Sequence, residues 1–245
     1  MTTPSVLIIG ARSDIGKAVA HKFAAAGYAI QMAARNAESL DIDKRDIELR
    51  YGVEVTLHEF DALLLETHEK FVSGLSQMPD VAISTIGLMG QQEKSERDPA
   101  AASQVMRSNY EGPASILALL ANHFEQRASG TLVGISSVAG ERGRATNYVY
   151  GSAKAAFTAF LSGLRNRLAK RGVHVVTVLP GFVATKMTEG MDLPAALTAD
   201  PKEVAVAIER AVLSKKNVVY VRPIWQLIMM IIRNIPERFF KTMKL

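Results

Sequence analysis

The 245-residue chain contains no cysteine and a single tryptophan, Trp225. Without thiols there are no disulfides and no thiolate metal sites, which fits a reducing compartment, and no metal site is expected. No apolar run approaches the ~18 residues that a membrane-spanning helix needs. Residues 1–5 lack the basic and apolar regions of a secretory signal. Internal repeats and low-complexity stretches are also missing. The net charge of +5 is unevenly spread: residues 222–245 carry Arg222, Arg233, Arg238, Lys241 and Lys244 against Glu237 alone. The rest is nearly neutral, so the charge gives no reason to expect nucleic acid as a partner. At 48% hydrophobic content the chain can bury one sizeable core, as a single domain of this length does.

Short β-branched runs alternate with helical patterns from the start. Ser5–Ile9 reads as a strand buried on both faces. It feeds into Gly10-Ala-Arg-Ser-Asp-Ile-Gly16 and then a helix marked by Ile15, Val19 and Phe23 and ending at Gly27. Strand, glycine turn and helix N-terminus together make an anion cradle. Gly10 permits the tight turn, Gly16 lets helix and strand approach, and Asp14 is suited to capping the helix. Strands are then expected at 28–34, 53–60, 80–84, 131–136, 173–179 and 217–221. The helices expected between them are 37–51, 63–78, 100–127 (interrupted near Gly112-Pro113), 149–171 and 201–214. This pattern predicts a Rossmann-like, doubly wound α/β domain with a parallel seven-stranded sheet over residues 1–221. An amphipathic helix follows over 222–245.

The chemistry concentrates between Ile135 and Lys154. In a helix beginning near Val149, Tyr150 and Lys154 lie one turn apart on the same face. An ammonium there favours the phenolate and pulls a phenol of pKa near ~10 towards the range of an acid–base catalyst. Ser137, at the end of the preceding strand, can return across the loop to the same oxygen. Tyr148 lacks a lysine at that spacing, because position 152 is serine.

Ser137, Tyr150 and Lys154 resemble the catalytic set of the short-chain dehydrogenase/reductase family, and the likeness extends over about residues 5–221. It implies hydride transfer between a nicotinamide cofactor and a carbonyl/alcohol pair. Asn109, in S-N-Y-E-G, matches the family asparagine whose helix kinks and whose carbonyl holds a relay water beside the lysine. Ser13, Asp14, Ile15 and the two glycines match the pyrophosphate turn, although Asp14 replaces the middle glycine. Asp61 matches the acid that contacts the adenine ring. Gly87 is kept from N-N-A-G, which here reads Ser84-Thr85-Ile86-Gly87. Pro180, Gly181, Val183 and Thr185 match the segment that covers the nicotinamide. An acid that would bind an unphosphorylated ribose is replaced by Arg35, with Arg12 in the glycine turn; two guanidinium groups suit a 2′-phosphate, hence NADP(H).

Residues 186–200 read as a substrate lid or a surface loop. Wound as a helix kinked at Pro236, the tail places Trp225, Ile228, Met229, Ile231, Ile232, Ile235, Phe239, Phe240 and Met243 on one face. Such a face fits an interfacial anchor on anionic lipid, a subunit interface or a cap on the substrate cleft. The tail and the altered N-N-A-G resemble reductases of polyprenyl-phosphoryl (decaprenylphosphoryl) keto-pentoses, with Arg142 and Arg144 placed to meet a phosphate or left as solvated charges. That resemblance implies a cytoplasmic protein, peripheral on the inner face of the membrane. The alternatives are a reductase of 3-oxoacyl-thioesters or small ketones, and a non-catalytic NADP-sensing scaffold. The small residues of 149–171 fit a homodimer or homotetramer.

Overall fold

A computed structural model describes residues 3–243; Lys244 lies outside them. The strands in chain order are β1 (Ser5–Ile9), β2 (Ala29–Ala34), β3 (Val55–Glu59), β4 (Val81–Ser84), β5 (Gly130–Ile135), β6 (Val173–Pro180), β7 (Phe182–Val183), β8 (Thr198–Ala199) and β9 (Val218–Val221). Seven of them form one parallel sheet in the order β3-β2-β1-β4-β5-β6-β9, while β7 and β8 pair separately. The doubly wound α/β fold expected from the alternating pattern is the one observed.

Both faces of the sheet are covered, and β1 shows why its sequence is uniformly apolar. Val6 and Ile8 enter one layer with Val19 and Phe23 of α1 (Asp14–Ala25), Ile47 of α2 (Asp41–Tyr51) and Ile208 of α8 (Pro201–Leu213). Leu7 and Ile9 enter the other, with Val72 of α3 (His68–Ser73), Phe124 of α6 (Gly112–Gln126) and Phe157 of α7 (Tyr148–Leu168). Strand order reverses between β1 and β4, which opens a crevice at their carboxyl ends.

The helices depart from expectation at three places. Residues 37–51 split into a 3-10 turn (Ala37–Leu40) and α2. There the Glu59 carboxylate accepts from the backbone N–H groups of Asn36 and Ala37, both at 2.9 Å, and holds the chain in a tight turn. The 63–78 helix shrinks to α3 behind a 3-10 turn, since only His68 and Val72 of this stretch are buried. In the 100–127 region α4 (Gln92–Arg97) precedes α5 (Pro99–Met106), and the break comes before Gly112, as a π-helical turn over Arg107–Glu111 with Gly112 N–H bonded to Arg107 O. Pro113 has no N–H to offer the Asn109 carbonyl four residues earlier, so the helix widens at that point.

The tail folds back onto the carboxyl end of the sheet as α9 (Ile224–Asn234) and, beyond Pro236, α10 (Glu237–Phe240). Trp225 and Met229 are buried with Val138 and Leu179, against Phe182, Leu197, Tyr220, Ile228 and Ile232. Ile231 does not join this face; it is 58% exposed, in company with Ile224, Leu227 and Met230. Truncating Trp225 to Ala leaves a large void beside β6 and is expected to cost about 3 kcal/mol. Urea unfolding of the two proteins measures it; a loss under about 1 kcal/mol would mean the tail is only loosely docked.

Candidate active site

The polar side chains in the crevice come from strand ends, from the loops that follow them and from the first two turns of a helix. Gly10 takes φ +92°, and a Cβ there would press on Thr85 Oγ1 at 2.9 Å, so the turn after β1 needs glycine. Ser13, not Asp14, caps α1, accepting Gly16 N–H at 3.0 Å. The Asp14 carboxylate accepts Lys186 N–H at 2.8 Å instead, joining the glycine turn to the segment after β7. Thr85 donates to Gly10 O at 2.9 Å and receives the Ser13 hydroxyl at 3.1 Å. It thereby braces β4 against β1 from the position that corresponds to the second asparagine of N-N-A-G.

Ser137, Tyr150 and Lys154 come together at the end of β5. Ser137 Oγ accepts Ala139 N–H at 3.1 Å and donates to Pro180 O at 3.5 Å, and it shares the cleft wall with Tyr150. Lys154 Nζ lies 5.8 Å from the centre of the Tyr150 ring and donates to Ile135 O at 2.9 Å. The helix carrying both is held to the strand by Ser136, whose hydroxyl donates to Lys154 O at 2.9 Å and meets Thr158 Oγ1 at 2.6 Å. Asn109 is fully buried; its amide nitrogen donates to Leu88 O at 2.6 Å and Val105 O at 2.8 Å, and its oxygen accepts Leu88 N–H. A Cβ added at Gly87 would sit 3.3 Å from Asn109 Oδ1 and 3.6 Å from Lys154 Nζ, so these three residues converge behind the reacting groups.

Burial sets the electrostatics. The Tyr150 hydroxyl is pushed up to about 12 by desolvation, opposed by the Ser137 hydroxyl. Desolvation brings Lys154 down to about 7. Both directions differ from the simple expectation of a lysine depressing a tyrosine. In the protein alone Tyr150 keeps its proton at neutral pH, and among the described residues no carboxylate pairs with the Lys154 ammonium.

These groups line a cleft of about 360 Å³ that also takes in Arg12, Ser13, Asp14, Ile15, Gly87, Pro180, Gly181, Val183 and Thr185. Arg12, Arg144, Lys154 and Lys186 bring four cations to its wall against the single carboxylate of Asp14, a balance that suits an anionic ligand. Some expected residues stand off the wall. Gly10 and Gly16 serve the turn's packing, Asn109 sits behind Lys154, and Asp61 accepts Leu63 N–H at 2.9 Å at the end of β3. Arg35 is also off the wall, though its carbonyl receives the Arg12 guanidinium at 3.1 Å, so the two arginines do meet. Gly181 has an unforeseen reason: a Cβ there would overlap the Trp225 indole. Of the two readings of Arg144, a phosphate partner or a solvated charge, the cleft wall takes its side chain; Asn147 beside it carried no sequence signal, and Trp225 reaches the wall only through the docking of the distant tail.

Most of the α/β frame matches a known family model. Residues 4–194 fit the short chain dehydrogenase model. The chain belongs to the short-chain dehydrogenase family. An uncharacterized oxidoreductase of Mycobacterium tuberculosis is 39% identical over 219 residues, covering 88% of this chain and 87% of that one. A short-chain dehydrogenase from Sphingobium yanoikuyae solved in complex with NADPH superposes with TM-score 0.81 at 22% identity, over 96% of this chain and 97% of that one. One from Burkholderia cenocepacia in complex with NADP gives 0.82 at 22% identity, over 96% and 94%. At these identities the two structures show a shared fold.

The buried lysine gives this short-chain dehydrogenase a pH signature. Unfolded, Lys154 would hold its proton to about 10.5; folded, it releases it from about 7. Between those values the unfolded chain binds more protons, so stability from this group rises with pH. Relative to Lys154→Met, the native protein is expected to gain about 1–3 kcal/mol from pH 7 to pH 9. Chemical unfolding of both proteins at the two pH values measures this; a constant difference would contradict it.

Proposed function

We propose that the protein is an NADP(H)-dependent oxidoreductase interconverting a ketone and a secondary alcohol. The observation that carries the reading is the convergence of Ser137, Tyr150 and Lys154, with Lys154 Nζ 5.8 Å from the centre of the Tyr150 ring, in the same cleft that begins at Arg12. The site fits the cofactor. The glycine turn would offer α1's first N–H groups to the pyrophosphate, and Arg12, whose guanidinium donates to the Arg35 backbone carbonyl, would with Arg35 supply charge-assisted partners to a 2′-phosphate. The nearby acid, Glu59, already has both carboxylate oxygens engaged by backbone N–H groups. Ser13, Ile15, Val183 and Thr185 would hold the phosphates and carboxamide, and Asp61 the adenine end.

When bound, the cofactor supplies the hydride. The chain's own residues handle the proton. Ser137 orients the carbonyl oxygen, and Tyr150, protonated at neutral pH, donates to it. Lys154, charged below about 7 in the free protein, stabilises the phenolate left behind. Gly87 and Asn109 leave room behind Lys154 for proton return. Tyr150→Phe is expected to lower NADPH oxidation on bulky ketones by at least about 100-fold while NADPH still binds. Unchanged turnover would remove Tyr150 from the reaction. Arg12→Ala with Arg35→Ala is expected to weaken NADPH at least tenfold and leave NADH unaffected, measured by fluorescence titration. Equal losses for both would mean that the arginines do not read the 2′-phosphate.

A lipid-linked substrate is favoured by one observation. Beside the Trp225 end of the cleft, α9 exposes Ile224, Leu227, Met230 and Ile231 along a single outer face, with Arg238 and Lys241 beyond Pro236. That surface would rest on anionic lipid and present the cleft mouth to a polyprenyl-phosphoryl keto-sugar. Flotation with anionic vesicles is expected for the native chain and lost in Leu227→Asp with Ile231→Asp. Absence of native flotation leaves ketones free in solution as the substrates. The small residues of α7 are the surface through which a homodimer or homotetramer would form.

A further inference from the structure

The loop before α7 carries two arginines with different fates. Arg142 is committed to the tail, donating to Glu237 at 2.7 Å and to Arg233 O at 3.0 Å, with its guanidinium 4.0 Å from the centre of the Phe240 ring. Glu141, the carboxylate beside it, accepts Arg233 at 3.1 Å and Tyr220 at 2.7 Å. Arg144 makes no ion pair of this kind among the described residues. Its Nε is buried without a hydrogen-bond partner, and the side chain lines the cleft.

Asn147 makes the second half of the feature. A backbone hydrogen bond from Asn147 N to Arg144 O, at 3.1 Å, closes a turn that puts both side chains on the cleft wall three residues before Tyr150. Asn147 stands at the N-cap of α7, yet its side chain makes no capping bond, and Oδ1 is buried and unpartnered. A buried donor and a buried acceptor left open at the two ends of one turn cost free energy unless water or a ligand completes them. The remaining wall nearby is apolar: Val138, Phe182, Met187, Met191 and Trp225.

We infer that Arg144 and Asn147 form a subsite for an oxyanion on the substrate, a carboxylate or phosphate ester joined to an apolar body that rests on Trp225 and the two methionines. The inference deepens the ketone-reductase reading and rests on it for the identity of the bound molecule as substrate. An anion supplies acceptors for the planar Arg144 fork, and a neighbouring hydroxyl or amide donor on the same molecule satisfies Asn147. Burial with no opposing carboxylate lowers the Arg144 pKa, as expected of a cation awaiting its counter-ion. Arg144 is thus a specificity residue, separate from the proton transfer at Tyr150.

Trp225 is the sole tryptophan and lines the same cleft, so its fluorescence reports occupancy without turnover. Benzoate, phenyl phosphate and neutral benzyl alcohol are titrated into the full-length protein, with and without saturating NADP+. The saturated arm fills the cofactor's own phosphate sites. At least one anion is expected to bind tenfold or more tighter than benzyl alcohol. That preference should fall below twofold in Arg144→Gln, persist in part in Arg144→Lys, and stay intact in Arg45→Gln, a change on the outer face of α2. Preference for phenyl phosphate alone identifies a phosphate ester; preference for benzoate as well extends the class to carboxylates. Equal binding of all three probes by the native protein, or a preference retained in Arg144→Gln, overturns the subsite. NADP+ binding in the same titration keeps the two readings apart, since its failure would count against the cofactor assignment and leave the anion result standing.

Discussion

An ammonium buried at the end of a β-strand is the constraint around which the rest of this molecule is arranged. Lys154 is 3% exposed, its Nζ finds Ile135 O at 2.9 Å, and no carboxylate pairs with it among the described residues. Such a group is unfavourable in isolation, so the surrounding structure has to hold it there. Ser136 holds the lysine's backbone and Thr158 to β5. The π-turn set by Pro113 brings Asn109 behind it, and Gly87 leaves the space between. The parallel sheet supplies the rigid edge on which these parts meet.

Much of this was legible in the residues. The short β-branched run Ser5–Ile9 reads as a strand covered on both faces, and β1 divides Val6 and Ile8 from Leu7 and Ile9 between two layers accordingly. Tyr150 and Lys154 at helical spacing, with Ser137 at a strand end, meet as expected because each position depends on one local element. What escaped depended on contacts remote in sequence. Nothing near Gly181 foretells that its missing side chain makes room for Trp225, 44 positions later. The direction of the Tyr150 and Lys154 shifts escaped for a related reason. The attraction between a phenolate and an ammonium is visible in spacing, but the desolvation that outweighs it is visible only in three dimensions.

The tail joins fold and site in a way amphipathicity alone left open. Its inner face closes the cleft through Trp225 Nε1, which donates to Leu197 O at 3.1 Å, and through the indole's edge contact with Phe182 at 5.2 Å. Arg142 and Glu141 fasten its far end to the loop that precedes the catalytic helix. One segment therefore bears on the cleft mouth, the loop carrying Arg144 and the outer apolar surface together. Changes in substrate preference within relatives of this architecture are expected to track the tail as much as the residues around Tyr150.

The most direct test of the account is the titration of Lys154 itself in the cofactor-free protein, followed by NMR of 13C-labelled lysine and assigned with Lys154→Met. The account predicts one lysine resonance titrating near 7, well apart from the exposed lysines. A Lys154 that holds its proton to about 10.5, alongside the others, would show that its charge is compensated in the free protein and would contradict the buried-ammonium account.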